Sequence, residues 1–393
     1  MRRVGIVERG DWQAQAAECG FRFHTIDGAR YWDERAYYAF TMAQIEHDLE
    51  DPSAELHRMA MALVDEIVAS DALMQRLAIP AQFRDWIAES WRRREPHLYG
   101  RLDLAYDGTG PAKLYELNYD TPTSLFEAAF FQWQWLEDQR ASGRLPREAD
   151  QFNSIHEALV DRFAELAASL PPPLLFAAVR DSEEDQGTIA YLRDCAAQGG
   201  LHGEAIALED IGLSEDGRFT DLDDVVIGSL FKLYPLEDLF HDDFGRALPK
   251  SGLRLIEPPW KALLSNKGLL PLLWERHRGH PNLLAAEFDD GGDLPAGWVR
   301  KPLHSREGAN IELHLADGQR LRSDGPYTGP CIRQAAHPLP SFDGNFPMVG
   351  SWIVGDTACG IGVREDDSPI TRDSARFLPH AIVEDEAQVV FAA

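Results

Sequence analysis

At 393 residues the chain is too long for one compact core, and a hydrophobic content of 44% is that of ordinary globular protein, so two or three packed units are expected. Acidic residues outnumber basic ones 65 to 38, and the resulting field repels phosphate backbones and anionic lipid, which excludes nucleic acid and membrane surfaces as expected partners. The four cysteines, Cys19, Cys195, Cys331 and Cys359, follow no CxxC or Cys/His spacing, so neither a disulfide framework nor a structural zinc site is expected and a reducing cytoplasm fits.

Near the start, the apolar run Val4 to Val7 is too short for a signal peptide or a membrane span. Residues 54–69 carry apolar side chains at helical spacing behind the start signal Asp51-Pro52-Ser53, which predicts an amphipathic helix. Residues 99–120 read as two strands around a Gly/Asp/Thr/Pro turn, and residues 124–139 return to a helical, aromatic-rich pattern. After Pro171-Pro172-Pro173 come an apolar run at Leu174 to Val179, a helix at Ile189 to Ala197 and further apolar runs at Ala205 to Leu208 and Val225 to Leu230. That alternation predicts a small parallel sheet, a domain at about 151–258. Past Glu257-Pro258-Pro259, a helix over Lys267 to His277 precedes strands at Trp298 to Leu303, Ile311 to Leu315, Met348 to Val354 and Gly360 to Arg364, expected to form the antiparallel sheet of a second lobe. The divisions are thus 1–150, 151–258 and 259–393, with no internal repeat.

The hairpin carries the chemistry. With its turn centred between Thr109 and Gly110, Leu102 faces Leu117 and Leu104 faces Tyr115, which makes one apolar face. The other face holds Arg101 opposite Asn118 and Asp103 opposite Glu116. Directly opposed carboxylates repel each other and destabilise a ladder unless a cation lies between them. Two carboxylates and an amide offer only oxygen ligands, which suit magnesium rather than zinc, and substrate phosphates commonly complete so small a set. Arg101 beside it could stabilise charge on a transferred phosphoryl group. The alternative is an exposed strand face with salt bridges among Arg101, Asp103 and Glu116.

The stretches Arg101-Leu-Asp103, Tyr115-Glu-Leu-Asn-Tyr-Asp-Thr-Pro-Thr-Ser124, Tyr191-Leu-Arg-Asp-Cys195, Glu257-Pro-Pro-Trp260, Ser265-Asn-Lys267, Val299-Arg-Lys-Pro302 and Gly362-Val-Arg364 together resemble the synthetase domain of the glutathionylspermidine synthase family. The resemblance runs along essentially the whole chain in the right order, and is strongest to the stand-alone acid–amine ligase branch that lacks the amidase domain. It implies a mixed α/β (α+β) ATP-grasp fold with a pre-ATP-grasp α/β domain, in which the metal ligands precede the nucleotide lysines. Carried over by position, Asp103, Glu116 and Asn118 are the expected magnesium ligands, with Arg101 stabilising the transition state and Arg364 at the phosphates. Lys267 and Lys301 are expected to contact ATP phosphates under a loop bearing Glu307 and Gly308, with Gln334, Ala335 and Ile370 near the adenine. Ser124, Glu183 and Glu184 are the expected substrate-binding residues, the glutamates lying in a loop after an apolar strand. Read alone, Lys267 and Lys301 are also compatible with solvated lysines, the 305–310 loop with an ordinary turn, and Arg364 with a surface ion pair to Glu365-Asp366-Asp367.

The implied reaction joins a small-molecule or peptide carboxylate to an amine through an acyl phosphate, with ATP and Mg2+ as cofactors. Ser124 stands where the bifunctional family member has a cysteine, and Arg376 lies near the place of its late polyamine-binding acid, so neither glutathione nor spermidine is assigned. The alternative function is an ATPase or ATP-binding protein acting with a protein partner. A metal hydrolase would want HxH or HExxH spacing, which the 13 histidines do not supply.

Overall fold

The computed structural model describes residues 1–26 and 28–384. The helix expected over 54–69 runs Asp51–Val68, with Pro52 in its first turn, where the missing amide hydrogen costs nothing, and Leu56, Met59, Leu63, Val64 and Ile67 buried along one stripe. Its buried face packs into the larger of two extended apolar cores. Among the described residues no helix is long and apolar enough to cross a membrane. The four cysteines are all free thiols.

Two antiparallel five-stranded sheets and one parallel sheet make the frame. In the first, strands run in the order Arg376–Leu378, Thr357–Asp366, Phe346–Val354, Tyr99–Ala105 and Lys113–Asn118. In the second, the order is Ala286–Phe288, Cys331–Ala335, Trp298–Pro302, Glu312–His314 and Arg320–Arg322. The four late strands expected in one sheet therefore divide between two. Trp298–Pro302 and Glu312–His314 stay together, whereas Phe346–Val354 and Thr357–Asp366 join the hairpin although the whole stretch between Asn118 and Phe346 separates them in the chain. There the long strand Phe346–Val354 is buried along nearly its whole length, as a strand flanked on both edges must be.

The strand–helix–strand stretch forms the expected parallel sheet, ordered Arg254–Ile256, Ser229–Lys232, Leu174–Ala178 and Glu204–Ala207, with the helix Glu183–Gln198 following Leu174–Ala178, the first of these strands in the chain. The apolar run from Val225 splits. Val225 is exposed and only Ser229–Lys232 enters the sheet. A three-stranded sheet of Arg2–Gly5, Ala36–Phe40 and His380–Ile382 brings the beginning of the chain against residues near 380.

A buried ion pair links the parallel sheet to the end of the hairpin. Lys232, at the carboxyl end of its strand, meets the Asp120 carboxylate, whose second oxygen accepts the backbone N–H of Leu236 at 2.7 Å. Both side chains are almost wholly removed from solvent.

Candidate functional site

The hairpin pairs Arg101 with Asn118, Leu102 with Leu117 and Asp103 with Glu116, as expected. A bulge between Asp103 and Leu104 then shifts the register, so Leu104 faces Leu114 and not Tyr115. One extra residue on the second strand turns Tyr115 out of the apolar face. It lands under Lys301, whose ammonium lies 5.1 Å from the ring centroid. The sequence pattern carried no signal for the bulge, because the alternative partners of Leu104, Tyr115 and Leu114, can both pack on an apolar face.

The opposed carboxylates are held by cations. Arg101 grips Asp103 with two parallel bonds, Nε to Oδ1 at 2.6 Å and Nη2 to Oδ2 at 3.0 Å, and donates Nη1 to the Thr123 carbonyl at 2.5 Å. The guanidinium also lies over Trp352. Burial works against the Arg101 charge, but Asp103 and Glu116 outweigh it and strengthen the charged form. Arg364 reaches Asp103 at 3.6 Å from Thr357–Asp366, across the intervening strand Phe346–Val354. It therefore points into the site and not toward Asp366 and Asp367, which are taken by Arg372. The charged face is not a solvated one: Arg101 is 5% exposed and Asp103 is fully buried. Gly350, the cross-strand partner of Asp103, makes the space for Arg101, since a Cβ there would sit 2.7 Å from the Arg101 Cδ. No residue-level signal marked that glycine.

Glu116 stands between the two lysines. Lys267 Nζ is 2.9 Å from its Oε2, and Lys301 lies close enough to act on it electrostatically. Burial would raise the Glu116 carboxyl, but Lys267 and Lys301 together hold it well below the usual carboxylate range. Lys301 in turn is pushed down to about 8, first by burial and then by Lys267, with Glu116 opposing. Neither lysine is solvated. Lys267 precedes the helix Leu269–Arg276 by two residues and bonds the Ser305 carbonyl, while Lys301 donates to Gln334 Oε1 at 2.9 Å and to the Tyr115 carbonyl at 3.3 Å. Gln334 closes the circuit by donating Nε2 to the Leu114 carbonyl. These bonds fasten the second sheet to the hairpin.

Glu116, Lys267, Lys301, Glu307, Gly308, Gln334, Ala335, Arg364 and Ile370 all line one open cleft. Val299, Ile311, Leu313 and Met348 supply apolar walls. Residues far apart in the chain thus converge on one cleft that carries both charged and apolar walls. Glu307 and Gly308 both have positive φ, and at Gly308 a Cβ would lie 2.4 Å from the Thr371 carbonyl, so only glycine fits there. Arg306 ties this loop across the site, donating to Thr121 Oγ1 at 2.8 Å and to Glu237 Oε1 at 2.6 Å.

Asn118 directs its amide nitrogen at Asp103 Oδ2 and at Glu116 Oε1. Turned about its terminal bond, the same side chain presents an oxygen there. Among the described residues no group of three or more His, Cys, Asp or Glu side chains could hold a metal ion. The donor set at the hairpin is smaller, two carboxylates and one amide, and its chemistry fits a hard cation that draws its remaining ligands from elsewhere.

Ser124, Glu183 and Glu184 fall outside the cleft lining. Glu183 and Glu184 open the helix Glu183–Gln198 in its first turn, behind the capping Ser182, and so are not in a loop. The Ser182-x-x-Asp185 spacing is a helix start, which explains the difference. Ser124 has a φ of 68°, rare for a residue with a Cβ, and its hydroxyl bonds Tyr31 at 2.8 Å. Glu184 is pushed up to about 8 by burial and by the charges of Glu127, Asp185, Asp373 and Glu307. Asp373 and Glu127 escaped the sequence reading. Arg376, which stood in the expected place of a late acid, is occupied with Glu365 and Asp33 instead.

The chain matches the family described as "Glutathionylspermidine synthase preATP-grasp" over residues 3–383. It is 42% identical over 402 aligned residues to a Haemophilus influenzae protein named "Putative acid--amine ligase", covering 98% of this chain and 100% of that one. It is 28% identical to the trypanothione synthetase of Crithidia fasciculata and 24% identical to the bifunctional glutathionylspermidine synthetase/amidase of Escherichia coli, with 81% and 89% of this chain aligned. The chain spans only 52% and 60% of those two proteins' lengths. Among solved structures, a glutathione synthetase-like effector of Globodera pallida superposes with a TM-score of 0.58 at 11% identity, covering 95% of this chain and 96% of that one. That likeness concerns the fold alone, a mixed helix–sheet fold of the glutathione synthetase-like, ATP-grasp type.

Proposed function

The chain belongs to the glutathionylspermidine synthase preATP-grasp family, and from that premise we propose that it is an ATP- and magnesium-dependent acid–amine ligase forming an amide through an acyl phosphate. The observation that carries the reading is the convergence of Lys267 and Lys301 on Glu116 above the opposed Asp103. Buried cations facing an open cleft suit a polyanion, and buried carboxylates beneath them suit its counter-ion.

In this reading Lys267 and Lys301 bind the ATP phosphates, and the loop with Glu307 and Gly308 covers them. Gln334, Ala335 and Ile370 border the adenine. Asp103, Glu116 and Asn118 would hold Mg2+, which when bound neutralises phosphate charge as a Lewis acid. A substrate carboxylate oxygen attacks the γ-phosphorus, and the bond to the β-phosphate oxygen breaks with ADP leaving. Arg101 and Arg364 stabilise the charge spread over the transferred group. An amine nitrogen then attacks the acyl carbon, and phosphate departs with the bonding electrons. Ser124, Glu183 and Glu184 border the acid and amine. The carboxylates gathered around Glu184, with Asp185, Asp373 and Glu307, favour a cationic amine. Residues 1–150 supply the metal hairpin, 151–258 the pre-ATP-grasp unit and the sheet running from Ala286–Phe288 to Cys331–Ala335 the nucleotide lobe, while Phe346–Val354 and Thr357–Asp366 extend the hairpin's sheet. Free thiols throughout suit the cytoplasm.

Purified protein should release phosphate from magnesium-ATP only when a carboxylate and an amine are supplied together, tested with pooled amino acids, dipeptides and polyamines. Hydrolysis indifferent to both pools would favour an ATPase serving a protein partner. Two variants separate the binding roles. Glu116→Gln should weaken magnesium dependence of nucleotide binding at least about tenfold, the size found even for outer partners of metal ligands. Lys301→Ala should weaken nucleotide binding itself by about tenfold or more, read by calorimetry.

A further inference from the structure

One buried acid near the amine end has no assigned task. Glu127 is 1% exposed, and its Oε1 has no hydrogen-bond partner among the described residues. It begins the π-helical turn Glu127–Phe131, three residues beyond the strained Ser124. Its carboxyl lies against the Tyr31 hydroxyl, which is itself 2.8 Å from Ser124 Oγ. Half-buried Glu184 faces the same pair from another helix, and Arg101 and Arg364 approach from the phosphate side.

A buried carboxylate with one oxygen left without a hydrogen-bond partner costs stability, so a fold retains it poorly without use. A carbon–nitrogen ligase has such a use. An ammonium group cannot attack an acyl carbon until it loses a proton, and the site must take that proton without admitting bulk water. Resting on the ligase reading above, we propose that Tyr31 and Ser124 form a relay that carries the proton of the bound ammonium substrate to the Glu127 carboxylate.

The step balances. The N–H bond of the ammonium breaks, its electron pair stays on nitrogen, and the proton passes through the Tyr31 hydroxyl to Glu127. The neutral amine attacks the acyl carbon, the carbon–oxygen bond to phosphate breaks, and the second nitrogen-bound proton leaves with phosphate. Glu184 keeps the ammonium end in place, and Glu127 acts through Tyr31. Burial pushes Glu127 up to about 7, against the pull of Tyr31, its own backbone amide, Arg364 and Arg101. A group titrating there gains and releases a proton readily near neutral pH.

The test compares two nucleophiles on the full chain with magnesium-ATP and pooled amino acids and dipeptides. One is a pool of diaminopropane, putrescine and spermidine, all cationic; the other is hydroxylamine, a neutral nucleophile near pH 7 that needs no base. Glu127→Gln should lower the ratio of amide to hydroxamate formation about 10²-fold, and Tyr31→Phe should lower it in the same direction. Glu127→Asp should recover part of the ratio. The wild-type amide rate should rise with pH through about 7, and Glu127→Gln should lack that limb. Equal loss with both nucleophiles, or an unchanged pH profile in Glu127→Gln, would overturn the relay while leaving the ligase standing. Failure of the wild type with every acid and both nucleophiles would instead overturn the ligase reading, and the relay with it.

Discussion

An Arg101→Ala protein should still bind magnesium-ATP but lose phosphate release by about 10³-fold or more, the scale on which an arginine at a transferring phosphoryl group acts. The geometry separates binding from turnover. Arg101 spends two of its nitrogens on Asp103 and one on the Thr123 carbonyl, so its position is set by the hairpin and not by a ligand. Preorganised charge of this kind acts most where charge is redistributed, and little in the ground state. Lys267 and Lys301 remain in the variant to hold the nucleotide. Single-turnover phosphate release beside equilibrium nucleotide binding would check the division; parallel loss of both would mean that Arg101 is a binding residue or a structural one. Arg101→Lys should not rescue turnover, because an ammonium cannot reproduce the paired bonds to Asp103.

The second large effect concerns stability. Lys232→Ala should cost about 3–5 kcal/mol, since it strands the Asp120 carboxylate in a site closed to water. The pair joins the parallel sheet to the loop bearing Thr121 and Ser124, and Asp120 also accepts the Leu236 amide, so the loss should loosen the amine end of the site before the nucleotide end. Urea denaturation would measure it. The double variant Lys232→Met with Asp120→Asn should recover much of the loss, because it leaves no uncompensated charge. A Lys232→Ala protein as stable as the wild type would refute this account of the junction.

Local pattern accounted for much of the fold. Helical spacing located the helix Asp51–Val68, and the alternation of apolar and polar positions located both strands of the hairpin and its register at Arg101, Asp103 and Asn118. Pairing between distant strands was not legible in the same way. Nothing local in Phe346–Val354 says that it lies beside Tyr99–Ala105, since period-two burial is satisfied by either sheet. The bulge after Asp103 was hidden for a similar reason. Resemblance brought Lys267, Lys301, Glu307 and Gly308 into consideration, whereas residue type alone left them solvated lysines and an ordinary loop. Glu127 and Asp373 stayed invisible because a single glutamate in a helical stretch and a single aspartate after a turn carry no pattern. Only the packing brings them toward Glu184.

The central claim is that a carboxylate is phosphorylated on the way to an amide. With whichever acid in the pool supports turnover, labelled with 18O in its carboxylate, the phosphate released with ATP and amine should carry one 18O per amide formed, because an acyl phosphate leaves with one of the carboxylate's own oxygens. Phosphate free of the label, in a reaction that still consumes ATP, would mean that water attacks the nucleotide directly and would contradict the ligase mechanism.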